Sequence, residues 1–181
     1  RFLRDCERWL GHPIELIRSN TYASVDDVFD RTRYMSGLAG ARCTVEMKKV
    51  PRFNFQRWDD IHIFGYHAGE EGRARRLATQ NPELNLEWPL LSSSLDKQDC
   101  HSIIRSAGIE LPAMYKLGFR NNNCIGCVKA TAPDYWNKVR KLFPSVYQHR
   151  ALLSREINAR LTRKKVGKKW VRIFLDELEE S

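Results

Sequence analysis

Apolar residues at helical spacing alternate along this chain with short apolar runs, a pattern that predicts helices and strands in turn. The first helix is predicted over 2–10, where Phe2, Cys6 and Trp9 share one face and Gly11 follows as a stop signal. Further helices are predicted to run from Ser24, from Glu70 to Ala78, from Asp96 to Ala107, and from Pro133 to Phe143 with Pro144 as its stop.

Three apolar runs predict strands. They cover 14–17, 61–66, where a buried strand would end at Gly65, and 86–91, where Pro89 favours an edge position. Strands that alternate with helices are typical of an α/β fold with a mostly parallel sheet. Helix outweighs strand in this chain, so the predicted fold is helix-rich.

Two basic segments are also predicted to be helical. The first runs over 44–58 and is either one helix or a pair of helices broken near Pro51. The second runs from Tyr147 to about Lys164. Residues 166–175, which include Gly167, predict a small hairpin or a loop into a last short turn.

The bulk composition indicates one globular domain. The chain has 181 residues, 42% hydrophobic and 29% charged. We expect an α/β part over 1–146 and a basic helix with an acidic tail over 147–181, packed on the same domain. No apolar run approaches the roughly 20 residues of a membrane span, and no secretory signal pattern is present. Five cysteines without secretory context favour a reduced, cytoplasmic setting and no membrane partner. The oligomeric state is left open.

The net charge of +9 is concentrated near the C-terminus. Residues 147–172 contain nine Lys or Arg and one acidic residue, whereas the last nine residues contain four acids. Such a segment is typical either of a solvated helix face or of a surface that binds phosphate backbones. The candidate nucleic-acid contacts are Arg155, Arg160, Arg163, Lys164 and Lys165.

Three cysteines carry the most specific chemical signal. Cys124 and Cys127 form a C-x-x-C turn that contains a glycine, and Cys43 lies about 80 positions earlier. Structural zinc sites usually show two paired ligand sets, whereas the ligands of an iron–sulfur cluster can be far apart in sequence. Arg42 and Lys129 flank the thiols and would stabilise thiolates. The residues alone leave a metal ion, a cluster and free thiols open.

The other two cysteines have a different setting. Cys6 and Cys100 occur on apolar helix faces, where a free cysteine behaves as a small hydrophobic residue. We therefore expect both to pack in the core.

A second candidate site follows the strand predicted at 61–66. Gly65 would let a ligand approach the backbone, and Glu70 or Glu71 could orient arginines such as Arg73 toward an anion. A solvated, salt-bridged helix start is the alternative. The sequence contains neither G-x-x-x-x-G-K-[ST] nor G-x-G-x-x-G, so no known phosphate-binding loop is present.

The order of these motifs resembles a known family. Arg42-Cys-Thr with Lys48, Lys49 and Pro51 precedes Gly65-Tyr-His-x-x-Glu-Glu-x-Arg73, followed by Trp88-Pro-Leu-Leu with the Asp96 helix and by Leu117-Gly-Phe-x-Asn-Asn-Asn-Cys-Ile-Gly-Cys127. Together they resemble the phosphoadenosine-phosphosulfate (PAPS) reductase family of the adenine nucleotide α-hydrolase superfamily. The likeness covers nearly the whole chain and is closest to uncharacterised and phage-type members.

The resemblance implies a Rossmann-like three-layer α/β sandwich that binds an adenine nucleotide, such as ATP or a PAPS-like compound. The family's first strand and phosphate loop precede the region that corresponds to Arg1. We therefore expect both to be missing here, and little ATP turnover from this chain. The segment that matches the family's substrate-phosphate segment assigns nucleotide binding to Gly65, Glu71 and Arg73.

The resemblance also implies a metal centre. Relatives that reduce adenylyl sulfate hold a cluster with a Cys-Cys pair and a later C-x-x-C. Here Cys43 stands at the pair, after Arg42, and Cys124 and Cys127 match the later motif. Three of the four ligands are thus present, which leaves a three-cysteine iron–sulfur cluster, the favoured cofactor, or a zinc site.

The C-terminus departs from the family pattern. The reductases use a catalytic cysteine there, whereas this chain ends Asp176-Glu-Leu-Glu-Glu-Ser181, and no catalytic residue is assigned. The implied activity is sulfonucleotide reduction, ATP-dependent sulfur transfer or substrate adenylation. The alternatives are a nucleic-acid-binding module or a zinc-stabilised domain that has kept the fold without enzyme activity.

Overall fold

A computed structural model describes residues 1–180 of the chain, and 49% of the residues are helical. Within this range the α-helices are α1 (Phe2–Leu10), α2 (Val25–Thr32), α3 (Arg42–Thr44), α4 (Val50–Phe55), α5 (Glu71–Gln80), α6 (Pro89–Ser92), α7 (Lys97–Ser106), α8 (Ala113–Lys116), α9 (Pro133–Leu142) and α10 (Pro144–Glu156). A π-helical segment spans Val45–Lys49, and 3₁₀ turns span Ala68–Glu70 and Leu175–Glu177.

Six short strands form three two-stranded sheets within the described residues. The strands are β1 (Ser36–Gly37), β2 (Gly40–Ala41), β3 (Ile61–Ile63), β4 (Asn85–Glu87), β5 (Thr162–Val166) and β6 (Lys169–Ile173). The pairs β1–β2 and β5–β6 are antiparallel, and β3–β4 is parallel. The mixed, helix-rich α/β class is confirmed, while a layered sandwich around one mostly parallel sheet stays a prediction.

The chain forms two compact units. The first comprises 1–16 and 55–118, and the second comprises 17–54 and 119–181. The three cysteines of the predicted metal centre all belong to the second unit, and the predicted nucleotide segment belongs to the first. The predicted boundary between residues 146 and 147 stays a prediction.

The second unit has a well-developed apolar core. Helix α9 places Trp136 and Val139 in it, and both are fully buried, as is Phe29 of α2. The indole Nε1–H of Trp136 donates to the carbonyl oxygen of Ala130 at 2.8 Å, which satisfies its buried polar group. Helix α10 packs on α9, and its end is followed by the hairpin β5–β6.

The first unit contains the β3–α5–β4 crossover. The strand predicted near residue 61 exists, but its predicted burial is wrong, because Ile61 and Ile63 are 59% and 65% exposed. Among residues 1–180, β3 pairs only with β4, and a two-stranded ribbon leaves apolar side chains in contact with solvent. The strand predicted at 14–17 is also wrong: this segment has no regular structure. Pro13 lacks a backbone donor, and the Ile14 N–H donates instead to Glu7.

Local signals placed most helix ends correctly. Ser24 caps α2 by accepting the Asp27 N–H, and Asp96 caps α7 within a capping box. Gly11 ends α1 at φ 65°, in the left-handed region. The predicted stop at Pro144 is confirmed, because α9 ends at Leu142, and the same proline also begins α10. A proline is favourable at a first helical position, where its missing N–H would have no partner.

The predicted basic helix over 147–164 is also too long. Helix α10 ends at Glu156, and Asn158 adopts a left-handed conformation at φ 54°, which stops the helix. Residues 162–173 form the hairpin β5–β6. The small hairpin predicted over 166–175 is therefore confirmed in part. The β-branched residues Thr162, Val166 and Val171 and the turn glycine Gly167 favour strands over a helix continuation.

Around Pro51 the backbone stays helical. In place of the predicted break, the helix contains a wider, π-helical turn. The π-helical segment Val45–Lys49 lies directly before α4, and the Val50 N–H bonds to the Val45 oxygen, five residues back. A proline ring would clash with the carbonyl four residues earlier in an α-helix. The wider π turn provides room at that point.

A search of the helices within residues 1–180 finds none long and apolar enough to cross a membrane.

Truncation of Trp136 tests the core of the second unit. We expect Trp136→Ala to lower the free energy of unfolding by about 3–5 kcal/mol, because it removes a fully buried indole and its hydrogen bond. Trp170→Ala, in the same unit but at an exposed position, should cost about 1 kcal/mol or less. Urea unfolding followed by circular dichroism measures both, and an equal loss in the two variants would contradict this packing.

Candidate functional sites

The C-x-x-C motif forms a tight turn with a buried glycine at its centre. Gly126 has φ +67°, and a Cβ atom there would lie 2.9 Å from Val146 Cγ1. The Ala130 N–H donates to the Cys127 oxygen at 3.0 Å and closes the chain after the turn. Cys124 is exposed and Cys127 is half-buried, so the two thiols lie at the surface of a fixed backbone.

The hydroxyl of Tyr135 holds the two ends of this turn. It accepts the Cys127 N–H at 2.7 Å and donates to the Cys124 oxygen at 3.2 Å. Its ring meets Phe119 and Trp136 edge-on. Burial raises the pKa of Tyr135, which keeps the phenol protonated and able to donate. The residue therefore fixes the spacing of the two cysteine backbones.

Arg150 of α10 supports the same turn from the other side. Its Nε–H donates to the Gly126 oxygen at 3.3 Å, and its Nη1 forms an ion pair with Asp26 of α2. The guanidinium lies over the Phe29 ring at 5.2 Å. Only 8% of the Arg150 side chain is exposed, so the ion pair joins α10 to α2 inside the unit, and the hydrogen bond joins α10 to the cysteine turn.

Cys43 reaches the same region from another part of the chain. The hairpin β1–β2 and the bond from the Arg42 N–H to the Met35 oxygen place it in the first turn of the helical segment 42–55. Burial, followed by the charges of Cys127 and Cys124, raises the pKa of the Cys43 thiol. The three predicted thiols thus lie close enough to interact electrostatically.

Two lysines oppose this effect. The charges of Lys129 and Lys48 lower the pKa of Cys43, although burial has the larger effect. Lys129 therefore acts on the Cys43 thiol in the predicted direction. Arg42 instead pairs with Glu46 through an Nη2–Oε1 contact of 2.8 Å.

The donor set suits a soft metal ion or an iron–sulfur cluster in chemical type, since all three groups are thiols. The three thiols are, however, farther apart than the ligands of a preformed metal site. Within residues 1–180 no group of three His, Cys, Asp or Glu side chains is close enough to hold a metal ion, and all five cysteines are free thiols. Cys124, which is exposed, has the most room to move toward the other two.

The remaining cysteines belong to the first unit. Cys6 lies on α1 and Cys100 on α7, and both are half-buried, less enclosed than the predicted core packing. Burial raises the pKa of Cys100. They provide natural controls for the thiols of the second unit.

The predicted anion site lies at the carboxyl ends of the parallel strands β3 and β4. Aromatic side chains follow both strands: the ring centroids of Phe64, Tyr66 and Trp88 are 5.6–5.9 Å apart. Gly65 lies between Phe64 and Tyr66 in sequence. A Cβ atom added there would lie 3.8 Å from Leu90 Cδ1, which is an ordinary contact. Ligands of open α/β sheets bind at this edge, so a half-buried row of rings here offers a stacking surface for a planar group.

The structure separates the two charged residues predicted beside this row. Arg73 of α5 pairs with Glu70, and its guanidinium lies over the Tyr66 ring at 4.9 Å. Glu71 pairs with Arg75 at 2.8 Å, and both of those side chains are largely exposed. The predicted orientation of arginines by the Glu70-Glu71 pair is therefore present. Of the two predicted residues, Arg73 stands against the aromatic row.

The basic residues predicted to bind nucleic acid fall into two groups. Arg155 forms ion pairs with Asp176 and Glu177, and Arg160 lies over the Phe174 ring at 5.1 Å. The acidic tail thus neutralises part of the charge near the end of α10. Arg163, Lys164 and Lys165 lie instead on β5 of the hairpin.

The comparisons leave the family unassigned. No family model, curated protein or solved structure matches the chain. The resemblance to PAPS reductases therefore rests on the motifs of the sequence itself.

Substitution of Gly126 tests the enclosed cysteine turn. We expect Gly126→Ala to destabilise the protein by about 2–5 kcal/mol, because about 1–2 kcal/mol of left-handed strain is joined by overlap with Val146. Gly167→Ala is the matched control, since Gly167 has φ +58° and no atom within 4 Å of an added Cβ. Urea midpoints measure both, and equal destabilisation would show that the turn is not enclosed as described.

Proposed function

We propose that this chain belongs with the PAPS-reductase-like enzymes and acts at an adenine-nucleotide site, in sulfonucleotide reduction, sulfur transfer or substrate adenylation. One observation carries the proposal: Cys43 comes into electrostatic range of Cys124 and Cys127, although about 80 residues separate them in sequence. The sequence motifs imply this grouping, and random placement of free thiols would not favour it. The parallel pair β3–β4 with its crossover helix supports the Rossmann-like fold proposed here.

The three thiols are the proposed ligands of an iron–sulfur cluster, with zinc as the second choice. Three cysteines on a four-iron cluster would leave one iron open for another ligand. The lysines near Cys43 would favour the thiolate form that either metal requires. Tyr135 and Arg150 would act as supporting residues, because they fix the backbone that carries Cys124 and Cys127.

The strand-end row in the first unit is the proposed nucleotide site. An adenine ring can stack on aromatic side chains such as Tyr66 and Trp88, and Arg73 can exchange Glu70 for a phosphate. Gly65 would allow close approach of the ligand to the backbone. Glu71 would contribute indirectly, through Arg75. Nucleotide binding through these groups would be modest, because the sequence has no recognised phosphate loop.

A second candidate function, nucleic-acid binding, is favoured by the hairpin β5–β6. It carries three of the five predicted basic contacts, of which Lys164 and Lys165 are exposed and Arg163 is half-buried. This function does not require the thiols or the nucleotide site, so it can accompany enzyme activity or replace it.

The thiol set can be tested by metal analysis of serine variants. After anaerobic reconstitution with iron and sulfide, and separately with zinc, we expect the wild-type chain to bind one of the two metals. Cys43→Ser, Cys124→Ser and Cys127→Ser should each lower the bound metal severalfold, because each removes one of three ligands. Cys100→Ser should leave the content unchanged. Visible absorption together with bound iron and sulfide distinguishes a cluster from zinc.

Either of two results would contradict the proposed metal centre. A wild-type protein that binds neither metal after reconstitution, or a Cys43→Ser variant with undiminished metal, would exclude a three-thiol centre.

The nucleotide proposal is tested by ATP binding in isothermal titration calorimetry. Arg73→Ala should weaken binding about tenfold or more, since a hydrogen bond to a charged group contributes about 1.5–3 kcal/mol. Arg105→Ala, which removes an exposed arginine of α7 in the same unit but outside the proposed site, is the matched control and should have little effect. Equal losses in the two variants, or no ATP binding by the wild type, would contradict the assignment.

A further inference from the structure

The hairpin β5–β6 is strongly basic and firmly anchored. Residues 162–173 contain six Lys or Arg and no acidic residue. Thr162 and Ile173, which pair at its base, are both buried, and the Thr162 hydroxyl donates to the Thr131 oxygen at 3.3 Å. Gly167 forms the tip with φ +58°. The base therefore holds the exposed part of the hairpin in a defined position.

The register sorts the side chains of the hairpin onto two faces. Arg163 pairs with Arg172, and Lys165 pairs with Trp170. Residues directly opposite each other in an antiparallel pair point to the same side, as do residues two positions apart. Arg163, Lys165, Trp170 and Arg172 thus share one face, here named the Trp170 face.

The charges of the Trp170 face have no acidic partner. Among residues 1–180, no carboxylate lies within salt-bridge distance of Arg163, Lys165 or Arg172. Like charges that face each other across strands are unfavourable, and here two arginines do so. Burial, and then the Arg163 charge, lower the pKa of Arg172. An anion placed between the two guanidinium groups would relieve this repulsion.

The aromatic member of the face is available for stacking. Trp170 is 53% exposed, and the Arg163 guanidinium lies 4.6 Å from its ring centroid. The indole is thereby held by a cation–π contact while much of its surface faces solvent. Arg172 donates to the Leu161 oxygen at 3.2 Å, which fixes the second arginine beside it.

We propose that the Trp170 face binds single-stranded nucleic acid, with an unpaired base stacked on Trp170 and the neighbouring phosphates on Arg163, Lys165 and Arg172. Guanidinium groups match phosphate oxygens in pairs, and aromatic side chains stack on any base. Such sites combine a positive surface that follows the backbone with exposed rings. The inference rests on the second candidate function, nucleic-acid binding by this hairpin, and names its ligand class and contacts. It is independent of the proposed enzyme function, because none of its residues belongs to the thiol set or to the strand-end row.

Two other polyanionic surfaces fit the face less well. In a duplex the bases are already stacked on one another, so Trp170 would add no stacking partner there. An anionic membrane would accept apolar side chains from one side, but Val166 and Val171 lie on the opposite face from Trp170. The hairpin therefore has no continuous apolar side to insert into lipid.

Fluorescence anisotropy with the full chain tests the proposal. The probe is a labelled single-stranded DNA of about 16 nucleotides, the upper site size of a single-strand-binding domain. Its duplex form and vesicles of phosphatidylcholine with phosphatidylserine serve as competitors. Trp170→Ala should weaken binding by roughly 5- to 150-fold, as expected for about 1–3 kcal/mol of stacking on one base. Trp170→Phe should retain most of the affinity.

Matched controls separate stacking from general charge. Trp58 is 95% exposed and lies in the other unit, so Trp58→Ala should not change the affinity. Arg172→Glu should weaken binding and lower the slope of log affinity against log salt by about 0.7 per lost phosphate contact. Lys141→Glu, an equal charge reversal at an exposed position on α9, should have a smaller effect on both quantities.

Several outcomes would overturn the proposal. One is a wild-type chain that does not bind the single strand at low salt, and another is a Trp170→Ala variant with wild-type affinity. A third is competition by duplex or vesicles that is as strong as competition by the unlabelled single strand. Circular dichroism of each variant confirms that the fold is retained.

Discussion

The buried arginine Arg150 is the constraint on which the second unit depends. A charged guanidinium inside a protein is tolerated only when its donors are satisfied, and here Asp26 and the Gly126 oxygen accept them. These partners come from segments that are far apart in sequence. Removing Asp26 would leave an uncompensated buried charge, so the pair fixes α2, the cysteine turn and α10 in one arrangement.

That arrangement positions the backbone that carries Cys124 and Cys127. Gly126 must be glycine because of its left-handed backbone and its nearest neighbour, Val146, and Tyr135 then closes the turn through its hydroxyl. Cys43 arrives independently, at the start of a helix whose next turn is widened before Pro51. A fixed backbone therefore carries two thiols within electrostatic range of a third from another segment, which suits a centre assembled only in the folded protein.

The sequence predicted local features better than long-range ones. Capping residues and glycines fixed the ends of α1, α2 and α7, because those signals act within a few residues. The burial of Ile61 and the course of the chain after Glu156 were predicted wrongly. Burial depends on which strands become neighbours, and the end of α10 depends on Asn158 adopting a conformation that few residues favour.

In the candidate sites, too, local features were predicted better than long-range ones. The C-x-x-C spacing and the family-like order of motifs indicated which cysteines to consider, and the fold places all three in one unit. Tyr135 and Trp170 were not singled out, and Arg150 was considered only as one of the basic residues of 147–172 that could bind nucleic acid. Tyr135 is an ordinary aromatic residue of an amphipathic helix by pattern, and the partner of Arg150 lies 124 positions away. Only the hydrogen bonds and the strand register reveal what these residues do.

We propose above that Cys43 joins Cys124 and Cys127 in one metal-binding set. The most direct measurement is the alkylation rate of each cysteine, resolved by mass spectrometry, in the metal-loaded and the metal-free protein. We expect bound metal to protect Cys43 together with Cys124 and Cys127, while the rates at Cys6 and Cys100 stay unchanged. An alkylation rate at Cys43 that is the same with and without bound metal would contradict it.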